Sequence, residues 1–139
     1  MHKKLYIFTD GGSRGNPGDA AIGILILDEN KKPIKQFKQY IGKTTNNQAE
    51  YTALVTALEF ASEFSKGEIT CTSDSELLVK QLNGNYKDKD NNLKKLFDKV
   101  KDLGKKFTKI NYNHVNRENP LIQKVDALVN EALDERSRL

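Results

Sequence analysis

Two carboxylic acids directly follow apolar segments that are typical of buried strands. Asp10 comes at the end of the run 5–9, and Asp74 follows the run 68–73 in the same way. Both are candidate site residues, because open sheets bind ligands at the ends of their strands. Both also have a structural interpretation: an Asp-Gly pair after a strand is a common hairpin turn, and Asp74 could cap the helix that follows it.

Two further acids lie on or beside the apolar faces of predicted helices. Glu50 precedes Ala53 and Leu54 by three and four residues, and Asp126 precedes Val129 by three. Residues at this spacing share one side of a helix, so Glu50 lies on the apolar face and Asp126 adjoins it. A carboxylate aimed at the interior is costly unless a positive group meets it, which makes Glu50 a further candidate site residue.

Glycines interrupt the pattern immediately after Asp10. They stand at positions 11, 12, 15 and 18, with a proline at 17. This pattern predicts an open loop that a large ligand can approach closely, because glycine has no Cβ. A phosphate-binding loop is the alternative, but the Gly-Lys-Ser/Thr ending is missing and no helix pattern follows at once.

Composition indicates a soluble globular protein with one domain, residues 1–139. Hydrophobic residues make up 37% and charged residues 30% of the 139 residues. No apolar run approaches the ~20 residues that span a bilayer, and the first residues lead straight into a strand, so we expect a cytoplasmic monomer and no membrane contact. The single Cys71 excludes an internal disulfide.

Positive charge is concentrated in one part of the chain. The net charge is +4, and residues 84–106 contain eight lysines against four acids. Such a locally basic face is typical of proteins that bind a polyanion, although it could also be an ordinary solvated surface.

Periodicity predicts a mixed α/β fold. The predicted strands are 5–10, 20–27, 34–41, 68–73 and 109–115, and the predicted helices are 44–64, 75–82, 90–106 and 121–136. Short connections make the first three strands an antiparallel meander, whose third strand is an exposed edge. Long crossovers place the fourth and fifth strands parallel to the first. The predicted five-stranded sheet has the order 3-2-1-4-5 with helices on both faces, which sets Asp10 beside Asp74.

Four stretches of the chain resemble the type 1 ribonucleases H, in the compact form without a basic extension. They are Thr-Asp-Gly-Gly-Ser-Arg-Gly-Asn-Pro-Gly at 9–18, Thr-Thr-Asn-Asn-Gln-Ala-Glu at 44–50, Ser-Asp-Ser at 73–75, and the helical Asp126 followed by Leu-Val-Asn-Glu-Ala-Leu. They stand in the expected order and cover essentially the whole chain. The resemblance implies a ribonuclease H-like fold and a metal-dependent endoribonuclease that hydrolyses the RNA strand of RNA–DNA hybrids, leaving 5′-phosphate and 3′-hydroxyl ends.

The resemblance implies that Asp10, Glu50, Asp74 and Asp126 are both the catalytic residues and the ligands of two Mg²⁺ or Mn²⁺ ions. Elementary electrostatics agrees, because four acids in one crevice repel one another unless cations neutralise them. Oxygen ligands without His or Cys suit these hard cations. We expect Asp10 to bridge both ions, with Glu50 and Asp74 on one side and Asp126 on the other.

Substrate contacts are also implied by the resemblance. They fall on Gly11, Asn16, Thr45, Asn46, Asn47, Ser75 and Tyr86. Asparagine amides can hydrogen-bond the 2′-hydroxyls and base edges of a wide minor groove, and Thr45 matches a position that grips a phosphate of the DNA strand. The asparagine pair could instead be an ordinary helix start.

The chain also departs from the family pattern. It has no Trp, and the segment 84–89 is short, so we expect binding that is weaker and more salt-sensitive than in members with the extension. Tyr86, together with Lys87 and Lys89, could replace that extension as a smaller surface that contacts the nucleic-acid backbone. Alternatively, Tyr86 could be an aromatic ring packed in the core.

Before the last acid, some relatives carry a helper His on a loop, but His114 stands too early for that role. Arg117 and Glu118 occupy the loop and are the candidates for assisting product release. A module that binds hybrids or structured RNA without cutting them is the alternative function.

Overall fold

The computed structural model describes residues 1–84, 86–87 and 90–139. Within these ranges the chain forms five strands and four helices. The strands are β1 (His2–Gly15), β2 (Gly18–Leu27), β3 (Pro33–Thr44), β4 (Ser65–Ser73) and β5 (Lys109–His114), and the helices are α1 (Asn46–Phe64), α2 (Glu76–Asn83), α3 (Asn91–Gly104) and α4 (Pro120–Ser137). None of the described helices is long and apolar enough to cross a membrane.

The strands form one mixed sheet in the order β3-β2-β1-β4-β5, which confirms the predicted topology. β1 and β2 are antiparallel, as are β2 and β3, whereas β4 runs parallel to β1 and β5 runs parallel to β4. In the β1–β4 register Phe8 lies beside Thr72. The two strands therefore advance together toward Asp10 and Asp74, and β3 is one of the two edge strands.

Helices cover both faces of the sheet. Leu5 and Ile7 of β1 belong to the apolar cluster that α1, α2 and α3 complete on one face. Tyr6 and Phe8 point the other way and pack with the apolar residues of α4. The strand period of two thus divides β1 between two cores, as its sequence predicts. Every residue of β2 from 20 to 27 is buried, as in a strand covered on both faces.

The predicted open loop after Asp10 is wrong. β1 continues to Gly15 and pairs with β2 as far as Gly15 beside Gly18, so Asp10 lies inside a long hairpin strand. The turn lies at Asn16 and Pro17 instead. Gly11 faces α1, and a Cβ there would lie 2.3 Å from the backbone carbonyl carbon and oxygen of Ala49. The absence of a side chain at residue 11 therefore permits a close strand–helix contact.

β4 begins earlier than predicted. The sequence indicated a break at residues 65–67, but Ser65 already pairs with His2 and opens the strand directly after α1. Gly67 allows this approach, because a Cβ at that position would lie 2.1 Å from the carbonyl oxygen of Lys3. β1 also begins three residues earlier than predicted and β3 ends three residues later, whereas the remaining boundaries agree to within two residues.

Candidate active site

A cleft of about 600 Å³ opens where β1 and β4 meet the first turn of α1 and one side of α4. All four predicted acids line it, each contributed by a different part of the chain: Asp10 from β1, Glu50 from α1, Asp74 from the β4–α2 junction and Asp126 from α4.

Three of the acids form a tight group. Asp10, Glu50 and Asp74 each place a carboxylate oxygen within 4.8 Å of the other two. Asp10 is 7% exposed and Glu50 is 6% exposed, whereas Asp74 is partly exposed. Like charges this close and this dehydrated are unstable without a compensating cation, so the group is suited to holding a metal ion.

Glu50 is fixed by hydrogen bonds from the neighbouring backbone and side chains. The Gly11 amide donates to Glu50 Oε1 at 2.7 Å. The close contact between Gly11 and the start of α1 brings the donor within reach. Burial raises the pKa of Glu50, and the charge of Asp74 adds to that rise, while the hydrogen bonds from Gly11 and Ser75 oppose it.

Asp10 lies at the centre of the four acids. Burial raises the pKa of its carboxyl far above the ordinary range, and the charges of Glu50, Asp74 and Asp126 raise it further. Asp10 therefore interacts with all three other acids. Without a cation, protonation is the available way to relieve this repulsion.

Asp126 belongs to α4, on the face of the sheet toward which Asp10 points, whereas Glu50 belongs to α1 on the other face. Asn130, one turn later in α4, donates from Nδ2 to Asp126 Oδ2 at 3.3 Å and to the Asp126 carbonyl oxygen at 3.2 Å. This amide orients the carboxylate of Asp126, which is otherwise exposed. The four-residue spacing, which places residues 126 and 130 on one helix face, is the feature of the sequence that could have predicted this contact.

The capping interpretation of Asp74 is wrong. Ser75 caps α2, because its hydroxyl oxygen accepts a hydrogen bond from the Leu78 amide at 3.2 Å. Asp74 therefore faces the cleft instead of the helix start.

Four of the predicted substrate positions lie together, at the hairpin turn and at the start of α1. Asn16 lies in the hairpin turn and accepts a hydrogen bond from the Asn46 amide at 2.9 Å, while Asn46 accepts one from the Ser13 amide at 3.3 Å. Thr45 caps α1 through the Gln48 amide, and the neighbouring Asn47 is exposed. These contacts fix the hairpin beside the start of α1.

Tyr86 lies apart from the acids. Its ring packs against Phe97 with 4.8 Å between the centroids, so the packed-ring interpretation describes its position. Lys87 is exposed, and Lys89 lies outside the described residues. Arg117 and Glu118, in the loop before α4, line the cleft, whereas His114 ends β5.

Arg14 is a cleft residue that the motif analysis did not single out. It lies on β1, four residues beyond Asp10, and forms an ion pair with Asp134 of α4. A prediction that β1 extends to residue 15 would have placed Arg14 on the same face of the strand as Asp10.

Comparison with known proteins identifies the family. A family model described as reverse transcriptase-like matches residues 8–132. The ribonuclease HI of Halobacterium salinarum is 38% identical over 132 residues, which cover 95% of this chain and 65% of that protein. A ribonuclease H of Clostridium botulinum is 35% identical over 154 residues, covering 96% of this chain and 97% of that protein. The chain belongs to the type 1 ribonuclease H family.

A solved structure in the family shows the same fold. LC11-RNase H1, isolated from compost, has been solved in complex with an RNA/DNA hybrid. It is 41% identical to this chain with a TM-score of 0.87, and the match covers 95% of this chain and 98% of that one. The resemblance drawn from the four sequence stretches is thereby confirmed. The chain spans 65% of the length of the Halobacterium relative.

Proposed function

We propose that this chain is a divalent-metal-dependent endoribonuclease that cuts the RNA strand of RNA–DNA hybrids and leaves 5′-phosphate and 3′-hydroxyl ends. The observation that carries the proposal is the meeting of four carboxylates from four separate segments in one cleft. The family relatives named as ribonucleases H, and the hybrid bound to LC11-RNase H1, support this substrate class.

Asp10, Glu50, Asp74 and Asp126 would hold two Mg²⁺ or Mn²⁺ ions. The donor set fits, because it consists of carboxylate oxygens, and burial together with their mutual repulsion raises the pKa of Asp10. The charges of all three other acids act on Asp10, which supports the proposal that Asp10 would be a ligand of both ions. When bound, such ions activate the attacking water and stabilise the leaving oxygen of a phosphodiester.

The protein's own groups preorganise these ligands and bind the substrate. The Gly11 amide and the Asn130 amide hold Glu50 and Asp126 in place. The Thr45 hydroxyl uses its oxygen to cap α1, which leaves its O–H able to donate to a DNA-strand phosphate.

Exposed asparagines and a charged loop complete the proposed substrate surface. Asn46 and Asn47 present amides to the minor groove, where the 2′-hydroxyl distinguishes RNA from DNA. Arg117 and Glu118 are placed on the cleft wall where they could assist departure of the cut strand.

The test uses one end-labelled RNA strand annealed to DNA, annealed to RNA, or left single, with the purified protein in Mg²⁺, Mn²⁺ or EDTA. We expect cutting of the hybrid in metal and none in EDTA. Asp10→Asn should lower the cleavage rate by several orders of magnitude and spare hybrid binding, because it removes the shared ligand but keeps the surrounding surface.

Asp98→Asn is the matched control, since it makes the same change on the exposed side of α3, away from the cleft. It should cut at the wild-type rate. Full activity of the Asp10→Asn protein would contradict the assigned site. Hybrid binding without cutting in either metal would instead support a non-cleaving binding module.

A further inference from the structure

The cleft contains a positive charge at the end that the acids do not occupy. Of the described residues that line it, two are cationic: Arg117, in the loop before α4, and Arg14. Arg14 lies at the far end of β1, close to the hairpin turn. No role for Arg14 follows from the metal ligands or from the minor-groove asparagines.

Strand geometry sets the distance of Arg14 from the metal ligands. Residues 10, 12 and 14 share one face of β1, and at ~3.3 Å per residue Arg14 is displaced by about 13 Å from Asp10 along the strand. This corresponds to about four nucleotide steps of ~3.4 Å along a duplex axis. Arg14 is therefore too far for the phosphate that is cut and suitably placed for a phosphate further along the same groove.

The backbone that carries Arg14 is held rigidly. The Ser13 amide donates to Asn46 Oδ1, and the Asn46 amide donates to Asn16 Oδ1. These two bonds tie both sides of Arg14 to the start of α1. A side chain on this hairpin consequently keeps its position relative to the acids.

A carboxylate orients the guanidinium without enclosing it. Arg14 Nη2 lies 2.7 Å from Asp134 Oδ1, and the two side chains are 45% and 48% exposed. Exposed pairs of this kind contribute little to stability. A guanidinium has five N–H donors in a fixed fork, so a bond from Nη2 to Asp134 leaves donors for a second anion.

We propose that Arg14 binds a backbone phosphate of the hybrid a few nucleotides from the cleaved bond, with Asp134 as the residue that positions it. This inference rests on the proposed function, since it concerns the same cleft and the same substrate. A contact to the phosphate backbone fixes the register of the duplex and carries no sequence preference.

The experiment measures hybrid binding to the Asp10→Asn protein in Mg²⁺, with and without Arg14→Gln, from 50 to 200 mM salt. Loss of one phosphate contact should reduce the slope of log K against log salt by about 0.7 to 0.9, and weaken binding roughly fivefold near 0.15 M salt. In the cutting enzyme, Arg14→Gln should raise KM and leave kcat unchanged.

Arg136→Gln is the matched control, because it removes the same charge from α4 at a residue that stacks on Tyr40 outside the cleft. Its slope should stay close to that of the parent. Asp134→Asn provides a second control. Direct binding predicts that Arg14→Gln also weakens hybrid binding in the Asp134→Asn background, because the amide oxygen there can still accept a hydrogen bond from Arg14. No effect of Arg14→Gln in that background would show that Arg14 only neutralises Asp134 and would overturn the proposal.

The outcomes separate this inference from the proposed function. If the parent protein binds hybrid but the slope is the same with and without Arg14, the role of Arg14 is overturned and the nuclease is not. If the parent neither binds nor cuts hybrid, the proposed function fails, and the inference fails with it.

Discussion

At the scale of single residues, the site holds the Asp10 carboxyl where its ionised form is unfavourable. The buried Asp10 carboxyl has a raised pKa, first because of burial and then because of its acidic neighbours. Below about pH 4 the carboxyl is protonated in both the folded and the unfolded chain. At higher pH the unfolded carboxyl ionises with an ordinary pKa while the folded one stays protonated, so the free energy of unfolding falls as pH rises.

Asp10→Asn should therefore stabilise the protein in EDTA. We expect a gain of roughly 1–3 kcal/mol in the free energy of unfolding at pH 8 and almost none at pH 4. Urea unfolding at both pH values measures it. Mg²⁺ should stabilise the wild type and have a smaller effect on the variant, because binding to the folded state alone raises stability.

The control for this prediction is Asp98→Asn, whose carboxylate is exposed and paired with Lys94. Its effect should be small at both pH values. Equal stabilisation by both substitutions would mean that general surface charge, and not the buried group, limits stability.

The four acids could be predicted from the sequence because each interrupts an apolar pattern, and interruption is visible locally. The hydrogen bonds that hold them could not. The bond from Gly11 to Glu50 joins β1 to α1, and no local signal specifies which backbone amide lies against a given carboxylate. The pair formed by Arg14 and Asp134 joins still more distant segments.

At the scale of elements, strand order and helix identity followed from the sequence pattern, whereas four strand boundaries did not, the end of β1 and the start of β4 among them. Glycines at 11 and 67 indicated breaks, yet both lie within strands where another backbone approaches closely. A glycine that permits contact and a glycine that permits a bend are alike in sequence, because the distinction depends on a distant neighbour.

Substitution of the two adjacent glycines of β1 tests this interpretation. Gly11→Ala should destabilise the protein by about 1–3 kcal/mol, because its Cβ would lie 2.3 Å from the Ala49 backbone. Urea unfolding provides the measurement.

Gly12→Ala is the matched control, since its Cβ would meet Val129 Cγ1 at an ordinary 3.5 Å. It should have a small effect. Similar losses at both positions would indicate that strand flexibility, not the contact with α1, requires glycine.

At the scale of the whole molecule, α4 alone among the described helices supplies the apolar core on the second face of the sheet. Close packing holds it there: a Cβ on Gly23 of β2 would lie 2.4 Å from the Val125 carbonyl oxygen. At the surface, Lys38 of β3 also forms ion pairs with Glu131 and Glu135 of α4.

Apolar packing should dominate the attachment of α4. Leu128→Ala, at a side chain 6% exposed, should cost about 2–5 kcal/mol in the free energy of unfolding. Lys38→Gln should change it little, and that small change should vanish in high salt, because exposed ion pairs are screened. A larger loss from Lys38→Gln than from Leu128→Ala would show that charge, not packing, attaches the helix.

The position of Asp126 on α4 has a consequence for the time course of folding. Asp10 and Asp126 are separated by most of the chain, and they meet only when α4 is docked on the sheet. A partly folded chain can thus display native strands and three native helices while its reaction centre is still incomplete. If the proposed cleavage is measured during refolding, its recovery requires docked α4, and we expect it to lag behind the recovery of secondary structure.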